Sequence, residues 1–277
     1  MSRGYRAVIV NYSKAEMILS LLTQLSNQSE PPSSVCIIDN SPPDIALQRA
    51  PEWSTYPFEV DLIHRPENIG YAAACNLGAR GADWDWLALL NPDIEIPSRD
   101  LFERLINECG HQPELGCAGV SQKNPDSDYE LVARRFPSIR AIVGKRVPIL
   151  GRLLFKSEVA AYMDSYPCTY SPESQPIEVD WLQSSFLLTS RSSWESCGGL
   201  DERYFVFMAD VDYGLRCKQA GLKSILFRSM EVLADGVRSS GGGLMDVFRR
   251  KTIRIHLIDA FVYFVFKGRY KGGRTAS

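Results

Sequence analysis

The chain is short of the residues that hold metals and covalent staples. Three histidines are spread over 277 residues. The seven cysteines (Cys36, Cys75, Cys109, Cys117, Cys168, Cys197 and Cys217) are odd in number and contain no CxxC pair. Neither a zinc module nor a secreted disulfide scaffold can be built from that stock, so the sequence implies a reducing, cytosolic compartment. Long apolar runs are lacking too. The longest candidate, Ile253–Phe266, covers 14 residues and is interrupted by Arg254, His256 and Asp259, short of the roughly 20 residues that cross a bilayer. The run Ala7–Val10 near the start is too brief for a signal peptide. Glycine is missing from the first expected strand-to-helix turn, Val10-Asn11-Tyr12-Ser13. That excludes the G-x-G-x-x-G dinucleotide fingerprint, and no Walker A loop occurs elsewhere. The Gly-rich loop expected of a sugar-1-phosphate nucleotidyltransferase is missing as well.

What is present is ordinary globular composition: 45% hydrophobic, 23% charged and 10% aromatic. Disordered, collagen-like and coiled-coil classes do not fit those values, and the length permits one large domain or two modest ones. The net charge of −2 hides a segregation. Arg134–Lys156 carries seven Lys/Arg and no acid, and Arg249–Ser277 carries eight with Asp259 as its only acid. The rest of the chain therefore has a net charge of −16. Both windows interleave basic with apolar residues, a pattern suited to an anionic membrane surface. Nucleic acid is the rival anion, but the acidic body would repel it and no aromatic-basic RNA-binding signature occurs.

Through residue 120, short apolar runs alternate with helical patterns. Strands are expected at Tyr5–Val10, Val35–Asp39, Val60–His64, Trp86–Leu90 and Gly116–Val120. Helices are expected from a capping box at Ser13-Lys-Ala-Glu16 to about Leu25, over Gly70–Ala79, and from a Ser98 cap to Cys109. Such alternation predicts an α/β fold, a mostly parallel sheet with helices on both faces, whose ligands sit beyond the carboxyl ends of the strands. Residues 121–176, rich in Pro, Ser and Arg, read as an excursion with a helix or two. Strands at Ile177–Trp181, Phe186–Thr189 and Ser224–Phe227 and a helix from about Asp210 to Ala220 follow, with a basic tail from 244.

The expected strand ends carry carboxylates and amides. Asp39-Asn40 ends the second strand and Asn91-Pro92-Asp93 the fourth. One such Asp can accept the N3–H of uracil or thymine. Another can bring a divalent cation to a diphosphate, since Mg²⁺ is typically held by one or two carboxylates plus substrate phosphates. Between them, Asn68-Ile-Gly70 and Asn76 offer neutral hydrogen bonds and a glycine suited to close approach. Asp210 and Asp212 stand at the start of a helix, whose dipole keeps a carboxylate ionised and able to take a proton from an alcohol.

In this order and spacing, these residues resemble the inverting glycosyltransferases of family 2, which have the GT-A fold, and most of all their rhamnosyltransferase-like branch in bacterial surface-polysaccharide synthesis. The resemblance runs from about Ala7 to Ser240. It rests on Val8-Ile-Val-Asn-Tyr12, Ile38-Asp-Asn-Ser41, Asn68–Asn76, Leu89-Leu-Asn-Pro-Asp93, Arg134-Arg-Phe-Pro137, Val179-Asp-Trp181, Gly198-Gly-Leu-Asp-Glu202 and Asp210-Val-Asp212. It implies one GT-A domain over 1–243, with a nucleotide-sugar half (1–120), the excursion (121–176) and an acceptor half (177–243), followed by a basic amphipathic tail (244–277). Asp39 would hold a pyrimidine base beside Asn11 and Tyr12, with Asn40, Asn68, Gly70, Asn76 and Asn91 lining the donor. Asp93 would bind Mn²⁺ or Mg²⁺, Asp210 would be the general base, and Asp180, Trp181 and Asp212 would line the acceptor. Ala209 stands where the family usually has Glu, and Ala234-Asp235-Gly236 where it commonly has a metal-binding His; Asp235 is the expected replacement ligand. The implied reaction moves rhamnose from dTDP-rhamnose to a lipid-linked or polysaccharide acceptor at the inner face of the cell membrane. The alternatives are a UDP-sugar donor or a non-catalytic sugar-nucleotide-binding subunit.

Overall fold

The computed structural model describes residues 4–81, 83–126, 128–146, 153–163, 166–234 and 245–269. Its centre is a sheet in the order β3(Glu59–His64)–β2(Ser34–Asp39)–β1(Tyr5–Asn11)–β4(Trp86–Leu90)–β10(Phe186–Ser190)–β6(Leu115–Lys123)–β11(Lys223–Ala234)–β5(Ile94–Glu95). A further strand, β8(Ile177–Val179), pairs with β11. The first four strands are mutually parallel. β10 runs antiparallel to both β4 and β6, and the β6–β11 pair is again parallel. A small second sheet joins β7(Ala133–Arg134) to β9(Trp181–Leu182).

The parallel strands are apolar along both faces, as strands covered on both sides must be. In β1, Ala7 and Ile9 point into one core with Leu21, Leu22 and Phe102. Val8 points into the other with Leu89, Trp194 and Tyr213. The helices, in chain order, are α1(Ala15–Ser26), α2(Tyr71–Gly78), α3(Leu101–Gly110), α4(Ile139–Arg146), α5(Lys156–Met163), α6(Arg191–Cys197), α7(Ala209–Gln219) and α8(Met245–Phe266). All seven cysteines are buried and free.

Several local expectations are corrected. Ser13 does not cap α1: it adopts a left-handed backbone (φ 59°), and its N–H donates to Ser41 Oγ at 2.9 Å. The Lys14 N–H at the helix start donates instead to Asn11 Oδ1 (3.1 Å). Helix α3 starts at Leu101 behind Asp100, to which the Ser98 hydroxyl donates. The expected strand 177–181 is cut at Asp180, because its first part joins the large sheet and its second the small one. Helix α6 is an element that the strand and helix patterns do not predict, although its ends are written plainly: Ser190 Oγ accepts the Ser193 N–H, and Gly198 closes it in the left-handed region. The excursion contributes α4 and α5, which pack on each other. From Met245 the tail is the helix α8, and its inner side is core: Ala260 and Tyr263 are buried among the residues around Trp181 and Tyr213.

Candidate active site

The carboxyl ends of β1, β2 and β4 bring the first-half polar residues together. Asn11 and Asp39 pair in register across β1 and β2. Asn11 Nδ2 donates to Asp39 Oδ1 (2.9 Å) and lies 3.4 Å from Ser41 Oγ. Asp39 Oδ1 also accepts the Ser41 N–H (3.1 Å), Oδ2 accepts the Leu47 N–H (2.6 Å), and His64 Nδ1 stands 3.4 Å from Oδ2. Asp39 is fully buried. A carboxylate has about four lone-pair sites, and three of them accept hydrogen bonds here, so Asp39 fastens the strand ends. Asn40 has capacity to spare: its amide donates to the Gly70 carbonyl (3.3 Å), while its buried Oδ1 has no partner. Tyr12 is partly exposed beside them.

Asp93 follows β4 in a turn and is the strand-end carboxylate with access to solvent, its side chain 16% exposed. Lys14 Nζ is 2.9 Å from its Oδ2. Among the described residues, no three His, Cys, Asp or Glu converge as a metal cage. A single carboxylate such as Asp93 fits a cation that brings phosphate oxygens with it. Ala234, at the end of β11, pairs with Ile94 beside Asp93; Asp235 lies outside the described residues. Asn91 is held by its N–H to the Ser185 carbonyl (2.8 Å).

Three residues expected at the donor do other work. Asn76 Oδ1 accepts the Leu200 N–H, and its Nδ2 donates to the Leu200 carbonyl and to Glu202 Oε1, all within 2.9 Å. It anchors the 198–202 loop and has no donor N–H left for a ligand. Gly70 (φ 84°) makes its close approach to the chain itself: a Cβ there would lie 2.6 Å from the Phe205 carbonyl oxygen. Asn68, also left-handed (φ 47°), accepts the Gly70 N–H on its Oδ1 (3.1 Å), an Asx turn that shapes the entry to α2.

The second constellation forms around Asp210, at the N-terminus of α7. Asp210 Oδ1 accepts the Val211 N–H (2.9 Å), and Oδ2 lies 3.4 Å from the Ser184 N–H. The Ser184 carbonyl accepts the Tyr71 hydroxyl (2.8 Å). Burial pushes the Asp210 carboxyl up to about 6, against the downward pull of these amides and the Arg134 charge. Arg134 lies over the rings of Trp181 (5.6 Å) and Tyr162 (6.0 Å), with its Nε buried and unbonded. Sequence reasoning passed over Arg134, Ser184 and Tyr71 as site residues, because β-pairing and long-range packing bring them to Asp210.

The acceptor-side expectations divide. Asp180 accepts the Phe136 N–H (3.0 Å) and pairs with Lys218 (3.2 Å), and its partly exposed carboxylate borders a cavity of about 110 Å³ lined by Tyr166, Glu178 and Lys218. Trp181 is buried, donates its indole N–H to the Arg135 carbonyl (3.0 Å), and packs so closely that a Cβ on Gly214 would meet it at 2.7 Å. It is a core aromatic in this state, not a free stacking platform. Asp212 is fully buried, paired with Arg216 (2.7 Å) and accepting the Gly268 N–H (2.8 Å), so it is structural.

Residues 7–162 match the family model described as "Glycosyl transferase family 2". An N-acetylglucosaminyl-diphospho-decaprenol L-rhamnosyltransferase of Mycobacterium tuberculosis is 33% identical over 250 residues, covering 84% of this chain and 76% of the relative. Rhamnosyltransferase WbbL of Escherichia coli is 24% identical over 144 residues, 52% of this chain and 50% of WbbL. Among solved structures, the mannosyltransferase PcManGT of Pyrobaculum calidifontis, in complex with GDP-Man and Mn²⁺, superposes with a TM-score of 0.56 at 15% identity. That superposition covers 93% of this chain but 64% of PcManGT, so the chain spans less than two-thirds of that structure's length. The likeness is one of fold, the mixed α/β GT-A architecture built above. The chain belongs to glycosyl transferase family 2 and is a glycosyltransferase with rhamnosyltransferase relatives.

Proposed function

We propose that the protein transfers rhamnose, with inversion, from dTDP-rhamnose to a polyprenyl-diphosphate-linked or polysaccharide acceptor in surface-glycan synthesis. The observation that carries this reading is Asp210, a half-buried carboxyl at a helix N-terminus, held by the Val211 and Ser184 amides and pushed up to about 6. A general base works best with a pKa near the working pH. The acceptor hydroxyl gives its proton to Asp210, and its oxygen bonds to the anomeric carbon from the side opposite the diphosphate. The bond from that carbon to the β-phosphate oxygen breaks, and the nucleoside diphosphate leaves with the electron pair. The amides of Val211 and Ser184 fix the carboxylate's direction. Arg134 stabilises its charged form.

The pyrimidine would lie over the ends of β1 and β2, with Tyr12 at its edge, Asn40 offering a free acceptor and Asp39 holding it. Mn²⁺ or Mg²⁺ arriving with the diphosphate would be held by Asp93 and would supply Lewis-acid stabilisation of the leaving group. Lys14, already on Asp93, places a further positive charge there. Asp180 would border the acceptor. The closeness of the mycobacterial relative supports the lipid-linked acceptor and the rhamnosyl donor; a UDP-sugar is the alternative, since a pocket discriminates weakly against one methyl or hydroxyl.

The outer face of α8 supports work at a membrane. Leu257, Ile258 and Phe261 are 51%, 59% and 67% exposed beside Arg254, and Leu153 and Leu154 of the other basic window are similarly bare. No helix among the described residues is long and apolar enough to cross a bilayer, so the proposed seat is peripheral, on the anionic cytoplasmic leaflet. The experiment that tests the reaction is transfer from dTDP-rhamnose by the wild type and by Asp210→Asn. Rhamnosyl product from the first, and product formed about 10²–10⁴-fold more slowly by the second, is expected; equal rates from both would remove Asp210 from the chemistry.

A further inference from the structure

The acidic residue that stands alone among the basic residues of 249–277 is not at the surface. Asp259, on α8, is 1% exposed, and its carboxylate accepts three consecutive backbone N–H groups from another part of the chain. Phe205 donates to Oδ1 at 3.0 Å, Val206 to Oδ2 at 3.0 Å and Phe207 to Oδ2 at 2.7 Å. Those residues end one position before Met208, which takes a left-handed backbone (φ 66°) and leads directly into Ala209 and Asp210. A non-glycine residue holds such a conformation only where its surroundings over-determine it.

The surroundings do so here from both sides. On the sheet side, the Phe205 carbonyl accepts the Tyr71 N–H at 2.6 Å, and the missing side chain at Gly70 makes room for it. On the helix side, Asp259 takes the amides, the Phe207 ring stacks obliquely on His256 (4.7 Å between centroids), and the Arg203 guanidinium covers Phe266 (4.9 Å). Just past α8, the Gly268 N–H reaches Asp212, two residues after Asp210. The helix therefore grips the chain on both sides of Asp210.

We propose that Asp259 is a positioning residue for catalysis: by collecting the 205–207 amides it fixes the turn at Met208 and so aims the Asp210 carboxylate. This rests on the reading of Asp210 as the base. It makes α8 part of the catalytic apparatus, joined to it by a carboxylate that touches neither substrate. Misplacing a reacting group by about 1 Å can cost on the order of 100-fold, so the effect belongs in kcat and not in donor binding.

The test compares full-length wild type, Asp259→Asn, Asp259→Ala and Asp210→Asn by steady-state transfer, by the thermal shift given by dTDP, and by hydrogen exchange at residues 205–207. The amide of Asp259→Asn can still accept on one oxygen. The expected result is a kcat about 10-fold lower in Asp259→Asn and about 100-fold lower in Asp259→Ala, with KM for the donor and the dTDP shift within twofold of wild type, and faster exchange confined to 205–207 and α8. Wild-type kcat in Asp259→Ala, with Asp210→Asn slowed about 10²–10⁴-fold, would overturn the positioning role alone. Loss of the dTDP shift in parallel with kcat would also overturn it, because Asp259 would then be a general fold contact. Full activity in Asp210→Asn would instead remove the reading on which the proposal rests.

Discussion

The donor end and the base end of the site are built in different ways. At the donor end, Asn11, Asp39 and Asp93 sit at the tips of parallel strands, and Asn11 and Asp39 meet by register alone. At the base end, Asp210 is placed by Ser184 from before β10, Tyr71 from α2 and Arg134 from the small sheet, and its loop is tied to Asp259. The first is a property of the sheet. The second is a convergence of segments drawn from Tyr71 to Asp259, and it depends on distant contacts staying in place. Substitutions at the donor end should therefore trade stability against nucleotide affinity, and those at the base end should act on turnover.

The largest effect that sharpens this contrast is at Asp210 itself. Asp210→Asn should lower kcat by about 10²–10⁴-fold, the usual range for a removed general base, with the dTDP thermal shift retained. Stopped assays on the wild type and Asp210→Asn at saturating donor check it. The same substitution has the opposite effect on stability. Because burial raises the Asp210 carboxyl from 3.8 to about 6, the folded state holds a proton there that the unfolded state has released. Between about pH 4 and 6 this group removes stability as pH rises, and above 6 its full cost is present. Asp210→Asn should thus melt higher than wild type at pH 7.5, by about 1–3 kcal/mol, and equal to it near pH 4. Calorimetry at the two pH values reads the difference.

At the donor end, Asn76→Ala should destabilise by about 1–3 kcal/mol, the cost of stranding buried partners, while donor KM stays near wild type. A rise in KM without loss of stability would return Asn76 to the donor pocket and break the contrast. Smaller again is the contribution of the outer face of α8. Replacing Leu257 and Phe261 with Ser should weaken partition onto vesicles containing phosphatidylglycerol. Raising the salt concentration should weaken it further, as expected where basic residues contribute about 1 kcal/mol each. Flotation at two salt concentrations measures both.

The difference between the two ends also explains what could be read in advance. Strands β1 to β4 and the residues at their tips were legible, because apolar runs, turns and strand ends are local properties. The same local view shows nothing of the partners of Gly70 and Asn76, Phe205 and Leu200, which lie more than 120 residues away. It read Ser13 as a cap because the S-x-x-E pattern is local, whereas the turn is decided by Ser41 on the neighbouring strand end. Asp212 looked like a twin of Asp210 by spacing, yet Arg216 one turn later on the same helix neutralises it. A signal for the role of α8 did exist: Asp259, the single acid among eight basic residues over 249–277, is out of keeping with a purely electrostatic anchor.

The pH dependence of kcat/KM for rhamnosyl transfer by the wild type tests the central claim most directly. Asp210 as the base predicts a limb rising with unit slope through about pH 6 and levelling above it, and no such limb in the residual rate of Asp210→Asn. A wild-type rate already level at pH 4.5, or a limb near 6 that persists in Asp210→Asn, would contradict it.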